Sequence, residues 1–413
     1  MGLAMAPQSL VMAIACVALA CDQAPEQAAS VPHVRPGIEV LLEDSLHLVE
    51  NLRVGLITNH TGVDREGRST IDRLSESDAV DLVALFSPEH GIRGETEAGQ
   101  PIDSGRDALT GLPVHSLYGR TRKPTPKDLE GLGALLFDIQ DIGSRYYTYV
   151  STMALGMEAA GEAGIPFIVL DRPNPIGGIQ VQGNVLSEAF SSFVGMYPVP
   201  MRHGMTPGEL ARMFVGEFGV QVDLHVVPAD GWTRDLAFED LGLPWIGPSP
   251  NMPSIVSATH YVGTALFEGT NISVARGTDR PFQQIGAPWL DGALLADRLD
   301  AYGIEGVRFE AVTFTPESPG DGKFDGETVP GVRLVALDEA YDPTLAAVAM
   351  LVETRRMSGE RWRWGESHFD RLAGTDRLRR DIEAGRTVSE IREGWDTALA
   401  AFLRMRERYL IYP

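Results

Sequence analysis

The sequence predicts an α/β protein: a mostly parallel, doubly wound sheet over residues 37–255, followed by a smaller α+β domain over residues 256–413. Three observations carry that reading. Short apolar runs recur between residues 54 and 227, segments of helical periodicity separate them, and most of the runs end in a polar group. Strands buried on both faces read as continuous apolar runs, which is the pattern of a parallel sheet sandwiched by helices.

Taken in order, the expected strands are Gly55-Leu-Ile-Thr-Asn59, Leu82-Val-Ala-Leu-Phe86, Ala134-Leu-Leu-Phe-Asp138, Phe167-Ile-Val-Leu-Asp171 and Leu224-His-Val-Val227. Helical periodicity fills Thr148 to Ala163 and Thr206 to Phe218. The second of these opens on Thr206-Pro207-Gly-Glu209, a capping residue with Pro at the first helical position. After about residue 255 the rhythm changes to a Gly-rich polar stretch from Glu268 to Arg280 and a short helix from Asp291 to Tyr302. A pair of strands around Val307 to Thr315 and Val332 to Leu337 comes next, then Arg-rich helical stretches over Pro343 to Met357 and Leu372 to Tyr412.

Composition excludes several function classes. Across 413 residues, 35 basic side chains face 57 acidic ones, a net charge of −22, and 44% hydrophobic residues are enough to build cores in most of the chain. From Arg355 onward there are 13 Arg against 10 acids, so the first 354 residues carry −25. A field of that sign repels phosphate backbones and anionic headgroups, which argues against nucleic acid as a partner. The two cysteines, Cys16 and Cys21, lie in or just after the apolar run Leu10 to Ala20, so the folded part has no thiol for catalysis, metal binding or a disulfide.

That apolar run is too short for an ordinary transmembrane helix and has the length of a secretory signal core. Residues 1–21 are expected to be an export signal and residues 22–36 a flexible tether, placing the protein in the periplasm or outside the cell. Val17-Ala-Leu-Ala-Cys21 resembles the lipobox of bacterial lipoproteins, which implies membrane attachment through a lipidated Cys21; plain secretion is the alternative. Oligomeric state is left open.

The chain has no G-x-G-x-x-G after its first strand, no P-loop, no G-x-S-x-G elbow and no H-E-x-x-H. Its nine His are dispersed, so neither a metal nor a cofactor is expected. Ser87-Pro-Glu-His-Gly91 is the most pointed local feature. Pro88 stiffens the backbone after a buried strand and Gly91 frees it, holding Glu89 and His90 at the sheet edge, where a partly desolvated carboxyl group can act as a general acid. The competing reading has Glu89 capping the next segment and His90 packed in the core.

Asp138 and Asp141, with Arg145, come after another strand and could orient an acid or activate water; Asp141 could equally cap the next helix and pair with Arg145. Asp171-Arg172-Pro-Asn174-Pro175 is a loop stiffened by two prolines that presents Arg172 and Asn174. Tyr146, Tyr147 and Tyr149, with Tyr118 and Tyr197, could stack on sugar rings or simply pack. Pro248-Ser-Pro-Asn251-Met-Pro253, Glu268-Gly-Thr-Asn271 and Arg276 are polar where two domains should meet, which suggests a cleft lined from both.

Together, Ser87-Pro-Glu-His-Gly-Ile-Arg-Gly94, Ser116-Leu-Tyr-Gly119, Phe137-Asp-Ile-Gln-Asp-Ile-Gly143, Leu170-Asp-Arg-Pro-Asn-Pro175, Arg202-His203-Gly-Met-Thr206, Pro248 to Pro253 and Glu268 to Asn271 closely resemble the bacterial exo-β-N-acetylmuramidase family. The resemblance runs from about Val40 to Tyr412. It implies a Rossmann-like domain that binds no nucleotide, a smaller C-terminal domain, and an active site in the cleft between them. It further implies exo-acting release of non-reducing terminal N-acetylmuramic acid from peptidoglycan fragments, with Glu89 as the family's catalytic glutamate.

Glycoside cleavage needs an acid for the leaving oxygen and a group to meet the oxocarbenium-like centre. Glu89 fits the first role, tuned by His90. Asp138, Asp141 or the substrate's own 2-acetamido group fits the second. The lactyl carboxylate of the sugar calls for an arginine, with Arg172, Arg202 and Arg276 as candidates. Asn174, Asn251 and Asn271 could read hydroxyls or the acetamido group, with Arg145, His203 and Glu268 around them. In so acidic a protein, those arginines must reverse the field locally. A different β-N-acetylhexosaminidase, or a sugar-binding lipoprotein without catalysis, is the alternative.

Overall fold

A computed structural model describes residues 1–2, 33–94 and 103–413. The expected export signal with Cys16 and Cys21, and the tether up to residue 32, lie outside the described residues. Residues 33–36, expected in the tether, are held in place: Val34 is buried, and Arg35 bonds Asp230, Glu43 and Asp44.

The expected strands assemble into one sheet. They are β1 (Arg53–Thr58), β2 (Asp81–Ser87), β3 (Gly105–Arg106), β4 (Pro113–Ser116), β5 (Ala134–Asp138) and β6 (Phe167–Leu170), and after the two-stranded ribbon β7 (Gln182–Val185) and β8 (Pro200–Arg202) comes β9 (Leu224–Val227). The order is β3-β4-β2-β1-β5-β6-β9, parallel throughout except for β3. Numbering the six parallel strands along the chain gives 3-2-1-4-5-6, the order of a doubly wound Rossmann-type sheet, whose ligand crevice opens beyond the carboxyl ends of the strands. The edge strands β3 and β4 and the ribbon were not evident in the sequence, because they are short and carry polar residues.

Alternation along the strands splits the core into two layers. On one face α1 (Gly37–Asp44) and α2 (Thr70–Ser75) set Ile38, Leu41, Ile71 and Leu74 against Leu56, Leu136 and Ile168. On the other, α3 (Tyr149–Ala163) and α4 (Pro207–Glu217) set Met153, Met157, Leu210 and Phe214 against Ile57, Phe137, Phe167 and Val169. The α4 N-terminus is the capping box the sequence announced, with Thr206 and Glu209 each satisfying the other's backbone N–H.

Helix α5 (Ile255–Thr264) begins the C-terminal part. After it comes an antiparallel sheet of β10 (Gln284–Gly286), β12 (Val329–Ala336) and β11 (Val307–Phe314), with α6 (Gly292–Asp300) against β11 and α7 (Pro343–Ser358) against α5. The expected helical stretch from Leu372 to Tyr412 is interrupted: α8 (Glu366–Ala373), α9 (Arg377–Glu383), α10 (Val388–Glu393) and α11 (Asp396–Arg406) are separated at Gly374, at Gly385 with the Thr387–Glu390 capping box, and at Gly394. Tyr146 and Met201 from the first part share one apolar cluster with Tyr261, Phe267 and Leu372 from the second. The chain end returns to the large sheet, where the Tyr412 hydroxyl donates to Asp171 Oδ2 at 2.7 Å.

Candidate active site

The carboxyl end of β2 leads into Ser87-Pro88-Glu89, and the turn is made by two successive left-handed residues, His90 (φ 72°) and Gly91 (φ 81°). A non-glycine residue in that region costs energy that the surroundings must repay, a form of strain that collects at functional sites. His60, just beyond β1, helps hold the loop. Its Nε2 lies 2.9 Å from the Gly247 carbonyl, and a Cβ at Gly94 would sit 2.6 Å from its ring, so only glycine fits there. His60 thus ties the Glu89 loop to the loop of Pro248 to Pro253. Burial lowers its pKa, so the ring is neutral at pH 7.

Glu89 and His90 line a cavity with about 450 Å³ of empty space, the open solvent at its mouth included. Tyr146, Tyr147 and Tyr149 form one wall, Ser249 and Met252 another, and Tyr261, Phe282 and Arg276 come from the C-terminal part. The Thr148 hydroxyl donates to Glu89 Oε2 at 3.3 Å. Tyr149 donates to the Pro248 carbonyl at 2.8 Å, and Tyr147 stands edge-on to both Tyr149 and Tyr261. Burial pushes the Tyr147 hydroxyl well above its ordinary value; the Ser249 side chain and the Arg276 charge act against that, while Glu89 and Asp141 add to it. The Tyr147 hydroxyl therefore stays protonated.

Arg276 is held by Glu268, whose Oε1 accepts from Nε at 2.9 Å and from Nη2 at 2.5 Å. The guanidinium also lies 5.0 Å from the Phe282 ring centroid. The pair is 16% exposed, enough to keep a charged edge at the cavity.

Other expected site residues lie elsewhere and are bonded within the protein. Asp138, fully buried, accepts from Arg172 Nε at 2.5 Å and Nη2 at 3.0 Å and from the Thr70 hydroxyl at 2.5 Å, while Arg172 Nη2 also reaches the Val63 carbonyl. Arg145 donates to four carbonyls, those of Asn184, Val199, Leu372 and Ala373, joining the ribbon to α8. Arg202 bonds Gln182 and the Ile176 carbonyl. Asn174 closes its own turn through Met205 and Ile176, and Asn271 brackets Arg361 and Arg363.

Asp141 is buried, accepts from the Gly143 N–H at 2.7 Å, and has its carboxyl pushed up to about 7 by burial. His203 Nε2 lies 3.8 Å away, and burial takes that ring down to about 3, so the contact is between a neutral imidazole and a carboxyl. Asn251, half-buried, sits in the loop that supplies Ser249 and Met252. A wider cleft of about 930 Å³ has Arg202 in its wall and carries neither Glu89 nor Arg276.

Thr148, Ser249, Tyr261 and Phe282 were not singled out from the sequence. Ser249 lies inside a motif that was, but nothing local marks Tyr261, on a helix rich in β-branched residues.

Known proteins share both parts of this chain. The profile described as exo-β-N-acetylmuramidase NamZ, N-terminal, matches residues 54–256, and its C-terminal counterpart matches residues 259–412. The chain belongs to the NamZ family of glycoside hydrolases. A relative named peptidoglycan β-N-acetylmuramidase NamZ, from Bacillus subtilis, is 43% identical over 397 residues, covering 96% of this chain and 95% of that one. Two crystal structures of DUF1343-family proteins from Bacteroides fragilis superpose with TM-scores of 0.87 and 0.73. They are 38% and 32% identical, each cover 92% of this chain, and are themselves covered over 100% and 99%. In this NamZ-family chain, the cavity that holds Glu89 is therefore lined by residues from both matched regions.

Proposed function

We propose that the chain releases non-reducing terminal N-acetylmuramic acid from peptidoglycan fragments, with Glu89 as general acid and Arg276 as partner of the lactyl carboxylate. One observation carries this: a carboxyl group from the β2 end and an arginine from the C-terminal part line one cavity walled by tyrosines. In the first step the Glu89 proton passes to the glycosidic oxygen as its bond to the anomeric carbon breaks. Water later adds hydroxide to that carbon and returns a proton to Glu89. The half-buried Tyr147 offers its ring to the sugar, while Tyr146 and Tyr149, whose hydroxyls are committed to the Val262 and Pro248 carbonyls, back the wall. Glu268 takes the Nε and Nη2 side of Arg276, leaving the Nη1 edge for the ligand carboxylate.

Product analysis on peptide-free glycan chains tests the reading. The wild type should release N-acetylmuramic acid alone. Glu89→Gln should lower kcat/KM about 10²- to 10⁴-fold with an unchanged unfolding temperature. Arg276→Met should cost roughly 10- to 100-fold on a muramide and little on the matching N-acetylglucosaminide, since a charge-assisted hydrogen bond contributes about 1.5–3 kcal/mol. Near-normal turnover by Glu89→Gln would refute the assignment.

We also propose that the chain is exported to meet this substrate, through the apolar run Leu10 to Ala20, with Cys21 lipidated. Mass spectrometry of the mature N-terminus checks it; an intact Met1 overturns it.

A further inference from the structure

The acid of a glycosidase stands between two sugars, because its proton goes to the oxygen that joins them. If the cavity takes the sugar on one side of Glu89, the leaving sugar must lie on the other. The sheet shows what stands there. Strand β4 runs beside β2 in parallel, with Ser116 opposite Ser87, and the Leu117 N–H donates to the Ser87 carbonyl at 2.8 Å. Two residues beyond this last pair, the two strands carry Glu89 and Tyr118 side by side.

Burial and then the nearby Glu89 carboxylate raise the Tyr118 hydroxyl to about 12, so the two groups are neighbours, yet Tyr118 is not part of the cavity wall. Its ring lies 6.5 Å from that of Phe193, tilted by 47°, and both are half-buried. The exposed Arg122 stacks on Phe193 with Cζ 4.0 Å from the ring centroid, and it lies 5.7 Å from the centroid of Tyr118.

Phe193 is not on a loose loop. Ser192 and Gly195 exchange backbone hydrogen bonds at 2.9 and 3.0 Å around it, and Val194 packs into the core. Gly195 rests on Leu186 and on the aliphatic stem of Arg145, the arginine that caps four carbonyls. Two fixed aromatic rings and a planar group with five N–H donors, placed at the outer side of the acid, match the C–H face and hydroxyl rim of a pyranose.

We propose that Tyr118, Phe193 and Arg122 form the subsite for the sugar ring on the leaving-group side of the scissile bond. This rests on the reading of Glu89 as the acid. The site makes cleavage depend on the group bonded to the anomeric carbon of the muramic acid: a ring there contributes binding energy in the transition state, and a leaving group without a ring does not.

The test compares N-acetylmuramyl-β-1,4-N-acetylglucosamine with N-acetylmuramyl β-fluoride, whose leaving group has no ring. In Phe193→Ala the ratio of kcat/KM on the disaccharide to that on the fluoride should fall at least tenfold. In Arg122→Ala it should fall severalfold, which keeps the proposal testable if the first variant folds poorly. A ratio unchanged in both variants overturns the subsite, as does an equal loss on both substrates. Glu89→Gln is run alongside. If it cleaves the disaccharide at the wild-type rate, the acid assignment fails; if it is inactive while the ratios do not move, the subsite alone fails.

Discussion

Glu89 and Asp138 both stand at the ends of buried parallel strands of one sheet, β2 and β5, with only β1 between them. Around Asp138 the carboxylate is enclosed, and Arg172 meets it with two nitrogens while Thr70 takes what remains. Around Glu89 the Thr148 hydroxyl donates to Oε2 and Tyr118 stands alongside, and the group keeps a face on the cavity. A guanidinium that meets a carboxylate with two nitrogens fixes it in place, whereas a carboxyl group at a cavity keeps an oxygen within reach of a ligand. A polar strand end in this sheet is therefore either enclosed as a fastener or open to a cavity, and the surroundings decide which.

The largest effect that could break this contrast is a reversal of the two roles. Asp138→Asn should leave Arg172 as a buried, uncompensated charge, at a cost of about 3–5 kcal/mol, visible as a lower urea midpoint. The molecules that remain folded should keep kcat/KM within about fivefold of wild type. Glu89→Gln should do the opposite, losing turnover while its unfolding temperature stays in place. An Asp138→Asn protein of normal stability and no activity would show that the fastener is catalytic after all.

The sequence made the central sheet legible because its strands are uninterrupted apolar runs, and the bounds of Ala134–Asp138 and Leu224–Val227 agree with the structure residue for residue. Gln182–Val185 and Pro200–Arg202 escaped notice because a short ribbon of Gln, Gly, Asn and Pro has no apolar signature. At the site, the loop of Glu89 and the tyrosines after β5 stood out as local motifs. The arginines did not sort themselves. Arg145 and Arg276 read alike until the carbonyls of Asn184, Val199, Leu372 and Ala373 are seen around the first and the cavity beside the second. The carbonyls around Arg145 come from residues 39 to 228 positions away, so no local pattern carries that distinction.

Asp141 lies between the two extremes and gives the smallest and sharpest test. Like Asp138 it is buried at the carboxyl end of β5, but its neighbour is the neutral His203 rather than an arginine. Burial therefore raises its carboxyl from an ordinary 3.8 to about 7, against the pull of the Gly143 and Ile142 N–H groups. Between those values the folded protein holds a proton that the unfolded chain has released. The stability linked to this group is thus fully present below pH 3.8 and is lost as pH rises toward 7. Asn at this position keeps an acceptor for Gly143 and cannot ionise, so Asp141→Asn should remove that part of the slope and gain on the wild type as pH rises. Urea midpoints measured from pH 4 to pH 8 decide it: parallel curves for the two proteins would mean that Asp141 finds a charged partner when folded, and that it belongs with Asp138 rather than between the two.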